Sequence, residues 1–507
     1  MIPVTTAKAS IVRTEADERG WRGLTRAPGE PHGADLPEGE VLACLWHLSD
    51  LHLCDAESPA RLEHLDRLAD PDSPLAEEIG EVGTYRPQEI LTVQVAVQMV
   101  HTVNRIARGP VTGSHVDAVL ITGDVTDNCQ QNELAWYRTV IDGGAVTPAS
   151  GGAASSWCGV SDPATWDEHY WHPDGPPAGY EPDRPTRLFG YPRVPGLIEA
   201  ARQPVHSPGL EYEVLSVHGN HDALLQGTVA ADPSLRARAV GSRLVTGLPD
   251  GFDPRGIAAA VAPIGPAHYP PDAGAPARVI AADARRELVE SGDFARSARR
   301  QRNYWMQQVG GLRVISLDTV NPHGGWQGSL DEEQFAWLRD ELAEPSGLPV
   351  VIASHHPSPT MTNDYAPDGH RRVLGPEVVA LLLEHPEVIL WVAGHVHFNA
   401  AIQHGGDAGF WEITTSSLID WPQQGRILEF LRVGHDYAIV STVVDHDSPI
   451  AWDGTVLDVR AMASVSRLLA ANDYQRRDPT PLNELRAGSP EVRNTVWWAR
   501  RSDPLPG

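Results

Sequence analysis

The chain has 507 residues, 41% apolar and 21% charged, so a sizeable core is available and global disorder is excluded. A net charge of -27, from 67 acidic against 40 basic residues, argues against binding to duplex nucleic acid or an anionic membrane, although bound cations can still draw a phosphate to a local site. Cys44, Cys54, Cys129 and Cys158 are too few and too scattered for a disulfide framework and read as small buried thiols.

Residues 1–40 are polar and contain Pro and Gly; a mobile lead-in is expected there. They show neither the apolar stretch of a signal peptide nor an adjacent arginine pair, and no run in the chain approaches the ~20 apolar residues of a membrane span. A cytoplasmic protein with no membrane partner is the expectation, and the acidic surface leaves the oligomeric state open. Leu42–His47 reads as a first strand, followed by Asp50 and His52 in LWHLSDLHLC. Residues 61–86 are polar and acidic. From Pro87 to Arg108, Ile90, Val93, Val97, Val100 and Val103 recur at helical spacing and stop at Gly109-Pro110, which predicts an amphipathic helix covering a sheet. The β-branched run Val119–Thr122 is a buried strand that turns at Gly123 to deliver Asp124, completing a βαβ unit.

Gly143–Val194 is dense in Gly, Pro and aromatics, among them Trp157, Trp166, Trp171 and Tyr191; it is either a lid or rim, or a surface excursion packed on its own aromatics. Val214–Asp222, VLSVHGNHD, is a strand followed by Asn220, His221 and Asp222. Ala223–Gln308 is a second insertion with a basic, helix-like portion, Arg285–Arg302, whose arginines either reach a phosphate or form a solvated face. Strand punctuation resumes at Gly311–Asp318, followed by a helix opened by a capping box of Ser329 and Glu332. VVIASHHP, a helix over about Pro376–Glu384 and VILWVAGHVH come next. Phe410–Thr415, Ile427–Val433 and Tyr437–Val444 then predict a second sheet packed on the first, Leu457–Ala471 a helix, and residues 472–507 a polar tail with Trp497 and Trp498 docked.

Length alone would allow about three average domains. The motifs, however, run from Asp50 to His397, which favours one large domain over residues 41–450, interrupted at about 129–213 and 223–308, with a helical extension over 451–507 packed on it.

Asp124 alone is either a helix cap or part of a site, since ligands bind at the carboxyl edge of an open α/β sheet. Five strand ends carrying His, Asp or Asn together look like one metal site. Asp124 is placed to bridge two cations, which need a shared anionic ligand to sit close together. The remaining donors are Asp50, His52, Asn220, His355, His395 and His397, a mixed N/O set that suits Mn, Fe, Zn or Co rather than calcium. In DLH and HVH, residues two apart on an extended segment point the same way, so both can face one site.

The ordered series D-x-H, GDxxDN, GNHD, HHP and GHVH resembles the calcineurin-like metallophosphoesterase superfamily over about Leu42–Val444. The stretches DGHRRVLGPEVVALLLEHPEVILWVAGHVH and DEEQFAWLRDEL are most similar to its bacterial cyclic-nucleotide and glycerophosphodiester phosphodiesterase branch, and the long insertions resemble a group of actinobacterial metallophosphoesterases. The resemblance implies a four-layer α/β/β/α sandwich of two mixed sheets and two divalent or trivalent metal ions (Mn, Fe or Zn). One would be held by Asp50, His52, Asp124 and His397, the other by Asp124, Asn220, His355 and His395. It further implies hydrolysis of a small phosphoester, a diester in preference to a monoester, by in-line transfer to a metal-activated water, with His221 protonating the leaving group or stabilising the transition state, and Asp127 orienting it. Where protein phosphatases place an arginine after this aspartate, Asn128 stands, so Asn128 with His356 or an insertion arginine would hold the phosphate. A phosphomonoesterase or nucleotidase on the same site and a non-catalytic scaffold are the alternatives.

Overall fold

The structure is a computed structural model that describes residues 5–33, 36–76, 85–152, 156–257, 268, 272–475 and 479–501. In chain order its principal elements are β1 (Ala9–Ala16), β2 (Arg22–Pro28), β3 (Glu40–Leu48), α1 (Thr92–Arg105), β4 (Ala118–Ile121), α2 (Gln131–Asp142), β5 (Glu213–Ser216), β6 (Trp305–Val309) and β7 (Leu312–Ser316). They continue as α3 (Glu332–Ala343), β8 (Val350–Ala353), α4 (Gly375–Leu383), β9 (Val388–Ala393), β10 (Ala400–His404), β11 (Phe410–Thr414), β12 (Gln424–Val433), β13 (Asp436–Asp445), α5 (Val459–Ala470) and β14 (Thr495–Ala499).

Two six-stranded mixed sheets form the centre. The first runs β14-β13-β12-β3-β4-β5 and the second β6-β7-β8-β9-β11-β10. Leu45, Leu120 and Leu215 of the first sheet pack against Val314, Val351 and Val392 of the second, with no water-exposed face between them. On the outer side of the first sheet, Trp46, Val119 and Ile121 meet Val93, Val97 and Val100 of α1 and Tyr137 of α2. Outside the second, Ile315, Ile352 and Trp391 meet Leu338 and Leu342 of α3 and Val378 and Leu382 of α4. The fold is therefore a four-layer α/β/β/α sandwich. The β-branched sequence of α1 is a poor helix former by propensity, and burial of its valine stripe against the sheet overrides that.

Several expectations need correction. The strands after His397 do not make a sheet of their own: β11 joins β8 and β9, while β12 and β13 extend the sheet of β3 and β4. The five motif strands are thus divided, β3, β4 and β5 in one sheet and β8 and β9 in the other. Residues of the expected lead-in form the hairpin β1–β2, and Ile11 packs on Trp421, Ala470 and Ala471. The expected polar tail supplies β14, an edge strand paired with β13 through Trp497↔Ile439. β6 begins within the expected second insertion and is itself an edge strand of the second sheet. At the start of α3, Asp331 rather than Ser329 is the cap: its carboxylate accepts from Gln334 N at 2.7 Å, while Ser329 Oγ accepts from Arg372 Nε at 2.9 Å.

The two insertions meet. Trp166, Tyr170 and Tyr180 from the first, and Leu244–Thr246 from the second, line a cavity of about 480 Å³ whose floor includes Arg61. The arginines of 285–302 do not form one helix, and most of them pair with carboxylates: Arg285 with Asp283, Arg296 with Asp293, Arg299 with Asp142 and Arg302 with Glu333, while Arg300 lies over the Trp305 ring. Ion pairing to neighbours leaves them a solvated face, with Arg286 buried beside Asp55. All four cysteines are buried and free. Among the described residues no helix is long and apolar enough to cross a membrane.

Candidate metal centre

β3, β4 and β5 run parallel in register, Leu48↔Ile121 and Ile121↔Ser216, so their carboxyl ends form one edge from which Asp50, Asp124 and Asn220 project. β8 and β9 are likewise parallel, Ala353↔Val392, and deliver His355 and His395 at the same edge of the facing sheet. Six of the seven candidate donors meet where the two edges adjoin, and Asn220 precedes His221, whose main-chain N–H bonds Asp124 Oδ1 at 2.8 Å. His355 Nε2 is 3.1 Å from Asp124 Oδ2, His52 Nε2 is 3.8 Å from Asp124 Oδ2, and His397 Nε2 is 3.4 Å from Asp50 Oδ1. His395 Nδ1 lies 3.2 Å from His355 Nε2. Donor atoms of Asp50, His52 and His397, and of Asp50, Asp124 and His355, lie within 4.8 Å of one another.

Extended alternation does not bring the paired donors together. Asp50, His52, Asp124, His395 and His397 all have positive φ, between 45° and 67°. Such a conformation costs roughly 1–2 kcal/mol for a residue with a Cβ, and its concentration here marks a strained edge held by the surrounding structure. Glycine is required beside it: a Cβ on Gly219 would stand 2.2 Å from Asp124 Oδ1.

The histidine tautomers follow from their outer partners. His52 Nδ1 is 3.0 Å from Asp127 Oδ1, His397 Nδ1 is 2.7 Å from Asp420 Oδ2, and His355 Nδ1 is 2.7 Å from the Thr122 carbonyl oxygen. Each of these oxygens only accepts, so each Nδ1 carries the proton and each neutral ring turns the Nε2 lone pair inward. Inside, lone pairs face carboxylate oxygens. The buried His52 Nε2 and Asn220 Oδ1 have no hydrogen-bond partner. Acceptors facing acceptors repel unless protons or cations lie between them, and a mixed N/O donor set with two unpartnered buried acceptors fits transition-metal ions.

With protons rather than cations between them, the same groups attract by charge, and the rings beside the carboxylates are no longer neutral. Burial opposes charge on Asp124, but the imidazoles of His355, His221 and His52 outweigh it and hold the carboxyl well below the usual range. Burial likewise opposes charge on His355, yet Asp124 raises its pKa to about 9. Burial and the neighbouring His356 and His355 push His395 far down.

The outer residues include several that sequence reasoning missed. Arg61 Nη1 donates to Asp127 Oδ2 at 2.5 Å and to Asn128 Oδ1 at 3.1 Å, and its Nη2 donates to Glu89 Oε2 at 2.8 Å. Asp420, which holds His397, is fixed by Arg86 and Arg486. Asp222 accepts from Val125 N and Thr126 N on one oxygen and from Gly219 N on the other, stapling the Asp124 turn to the Asn220 turn. No local pattern distinguishes Arg61 or Asp420 from other polar loop residues. Asp222 stood within the GNHD motif, but its role depends on a turn 97 residues away.

The expected partner of His221 changes. Its Nδ1 is 2.8 Å from the main-chain oxygen of Asp127 and 3.7 Å from the carboxylate, which binds His52 instead. Asn128 and His356 are engaged by protein groups. The Asn128 amide accepts from Arg61 and donates to Glu133 Oε1 at 2.5 Å; His356 contacts Thr319 Oγ1 at 2.7 Å and the Trp326 carbonyl oxygen at 3.0 Å. Both side chains thus have their polar ends on protein partners.

Residues 195–399 match the family described as calcineurin-like phosphoesterase, a span that takes in the Asn220, His355 and His395–His397 strand ends. That span is about two fifths of the chain. Among curated proteins it is 34% identical over 96 residues to a probable cyclic nucleotide phosphodiesterase of Rhodococcus erythropolis, covering 19% of this chain and 31% of that protein. It is 33% identical over 91 residues to a cAMP/cGMP dual specificity phosphodiesterase of Mycobacterium tuberculosis, covering 18% and 28%. The matches thus span about a third of the relatives' length or less. Among solved structures, it is similar to a dimetal phosphatase from Danio rerio (13% identity, TM-score 0.33, 80% of this chain and 100% of that one). It is also similar to a putative 5'-nucleotidase from Staphylococcus aureus (11% identity, TM-score 0.30, 84% and 58%).

Proposed function

We propose that the chain is a dinuclear-metal phosphoester hydrolase acting on a small phosphodiester, with Asp50, His52, Asp124 and His397 around one cation and Asp124, Asn220, His355 and His395 around the other. The observation that carries this reading is the inward crowding of imidazole lone pairs on Asp124 and Asp50, at 3.1–3.8 Å, which cations relieve. The donor set suits Mn, Fe or Zn. The names of the Rhodococcus and Mycobacterium relatives support a diester over a monoester for the stretch they share. Four free, buried thiols agree with a reducing, cytoplasmic setting.

Bound at these donors, two cations supply Lewis acidity that makes water a nucleophile near neutral pH and offsets charge on the phosphoryl oxygens. The chain itself positions a proton carrier. His221 is fixed by its main-chain N–H on Asp124 Oδ1 at 2.8 Å and by Nδ1–H on the Asp127 carbonyl, which leaves Nε2 to exchange a proton with the leaving alkoxide. Asp127, clamped by Arg61, keeps the His52 ring turned with Nε2 inward.

Turnover of bis(p-nitrophenyl) phosphate against p-nitrophenyl phosphate by the Mn-loaded chain tests the reading. Faster diester hydrolysis, lost with a chelator and lowered at least about 100-fold in Asp124→Asn, is the expected result. Preference for the monoester would make it a phosphomonoesterase, and no turnover of either ester with Mn, Fe or Zn would leave a scaffold.

A further inference from the structure

Trp326 is the most exposed of the fifteen tryptophans, at 42%, and it stands at the mouth of the candidate metal centre. Its indole is stacked on the imidazole of His395, with ring centroids 5.7 Å apart and planes at 22°. The His395 ring is in turn 5.0 Å from that of His355. An indole exposed to this extent forgoes much of the gain from burial. Nor is it the loose tip of a loop.

Four hydrogen bonds hold the backbone around it. His356 Nε2 donates to the Trp326 carbonyl oxygen at 3.0 Å, Gly325 N to Thr228 O at 2.9 Å, Gly328 N to Thr360 O at 3.0 Å, and Asn363 Nδ2 to Gly324 O at 2.9 Å. Two of these tie the loop to segments that carry site residues: Thr228 follows the Asn220–Gly227 turn, and His356 follows His355. A Cβ on Gly328 would stand 2.6 Å from the His356 ring, so the loop lies directly on that histidine. The indole is a rigid, half-open aromatic face presented next to the donors, a surface that costs little ordering when a second ring stacks on it.

We propose that Trp326 is the stacking platform for a planar aromatic group of the substrate, so that the preferred esters carry a nucleobase or an aryl ring rather than an aliphatic alcohol alone. This rests on the phosphoesterase reading above and narrows its substrate class. Every nucleobase has a π face, so the platform selects for aromaticity without choosing among bases.

The test compares matched ligands by calorimetry on the Mn-loaded full chain, as the parent, Trp326→Phe and Trp326→Ala. Adenosine 5'-monophosphate is paired with ribose 5-phosphate, and phenyl phosphate with inorganic phosphate. In the parent, at least one aromatic ligand is expected to bind about tenfold more tightly than its partner, within the range of base–aromatic stacking. The ratio should persist largely in Trp326→Phe and fall close to one in Trp326→Ala. A gain confined to the first pair assigns nucleotides, and one confined to the second assigns aryl esters. Equal affinities within both pairs, or a gain that survives Trp326→Ala, overturns the platform while leaving the phosphoesterase reading intact. Failure of the parent to bind any of the four ligands, together with no ester turnover, overturns both.

Discussion

A neutral imidazole that donates through Nδ1 has one lone pair left, and at His52, His355 and His397 that pair turns inward. The same residue-scale argument applies to the glycine beneath the proton carrier. Gly227 has φ +69°, and a Cβ there would stand 2.3 Å from Asn220 Nδ2 and 2.5 Å from His221 Nε2. Gly227→Ala is therefore expected to lower kcat on bis(p-nitrophenyl) phosphate by at least about tenfold, because a small displacement of either group degrades the reacting geometry. Steady-state kinetics would show it. Further from the site, burial, with Asp55 beside it, pushes the Glu57 carboxyl up to about 7, against the pull of Arg202. The folded chain holds a proton there that the unfolded chain releases nearer the ordinary glutamate value of about 4.3. The associated stability is present below that value and lost as pH rises through about 7. Thermal melts at pH 5.5 and 8 are expected to differ less in Glu57→Gln than in the parent, the effect being on the order of a few kcal/mol at most.

At the scale of elements, apolar runs and helical spacing were legible wherever one face of an element is buried on a sheet. α1, α4 and α5 lie within a few residues of their expected positions, and the motif strands end where the polar donors begin. The turns beyond those strands were not legible, since an extended segment and a left-handed one have the same residues. The start of α3 shows the limit of local rules. Ser329 and Glu332 satisfy the capping-box spacing, but Ser329 stands just before the short β pairing Leu330↔Val373 and its hydroxyl accepts from Arg372, while Asp331 caps the helix. Asp331→Ala is expected to cost about 1 kcal/mol by chemical denaturation, whereas Ser329→Ala should leave the helix entrance in place.

At the scale of the whole molecule, the candidate donors come from two sheets that otherwise meet through apolar packing. Cations at this edge would join Asp50, Asp124 and Asn220 of one sheet to His355 and His395 of the other. Ligand that binds only the folded chain stabilises it, by about 2.7 kcal/mol at a hundredfold excess over Kd. Melting with Mn and with a chelator is expected to show a higher Tm in the metal, a difference that shrinks in Asp124→Asn.

The amino-acid sequence alone determined which short runs become buried strands and which donor types follow them, because both are written within a few neighbouring residues as hydropathy and side-chain chemistry. It also determined the acidic balance and the absence of a disulfide framework. Only the tertiary structure decided that the strand ends are shared between two sheets, that Arg61 and Asp420 orient the rings, that Asn128 and His356 are taken up by protein partners, and that Trp326 stands open beside His395. Those outcomes depend on contacts between segments tens to hundreds of residues apart. Any one polar residue has many possible partners, and only the packed chain selects among them.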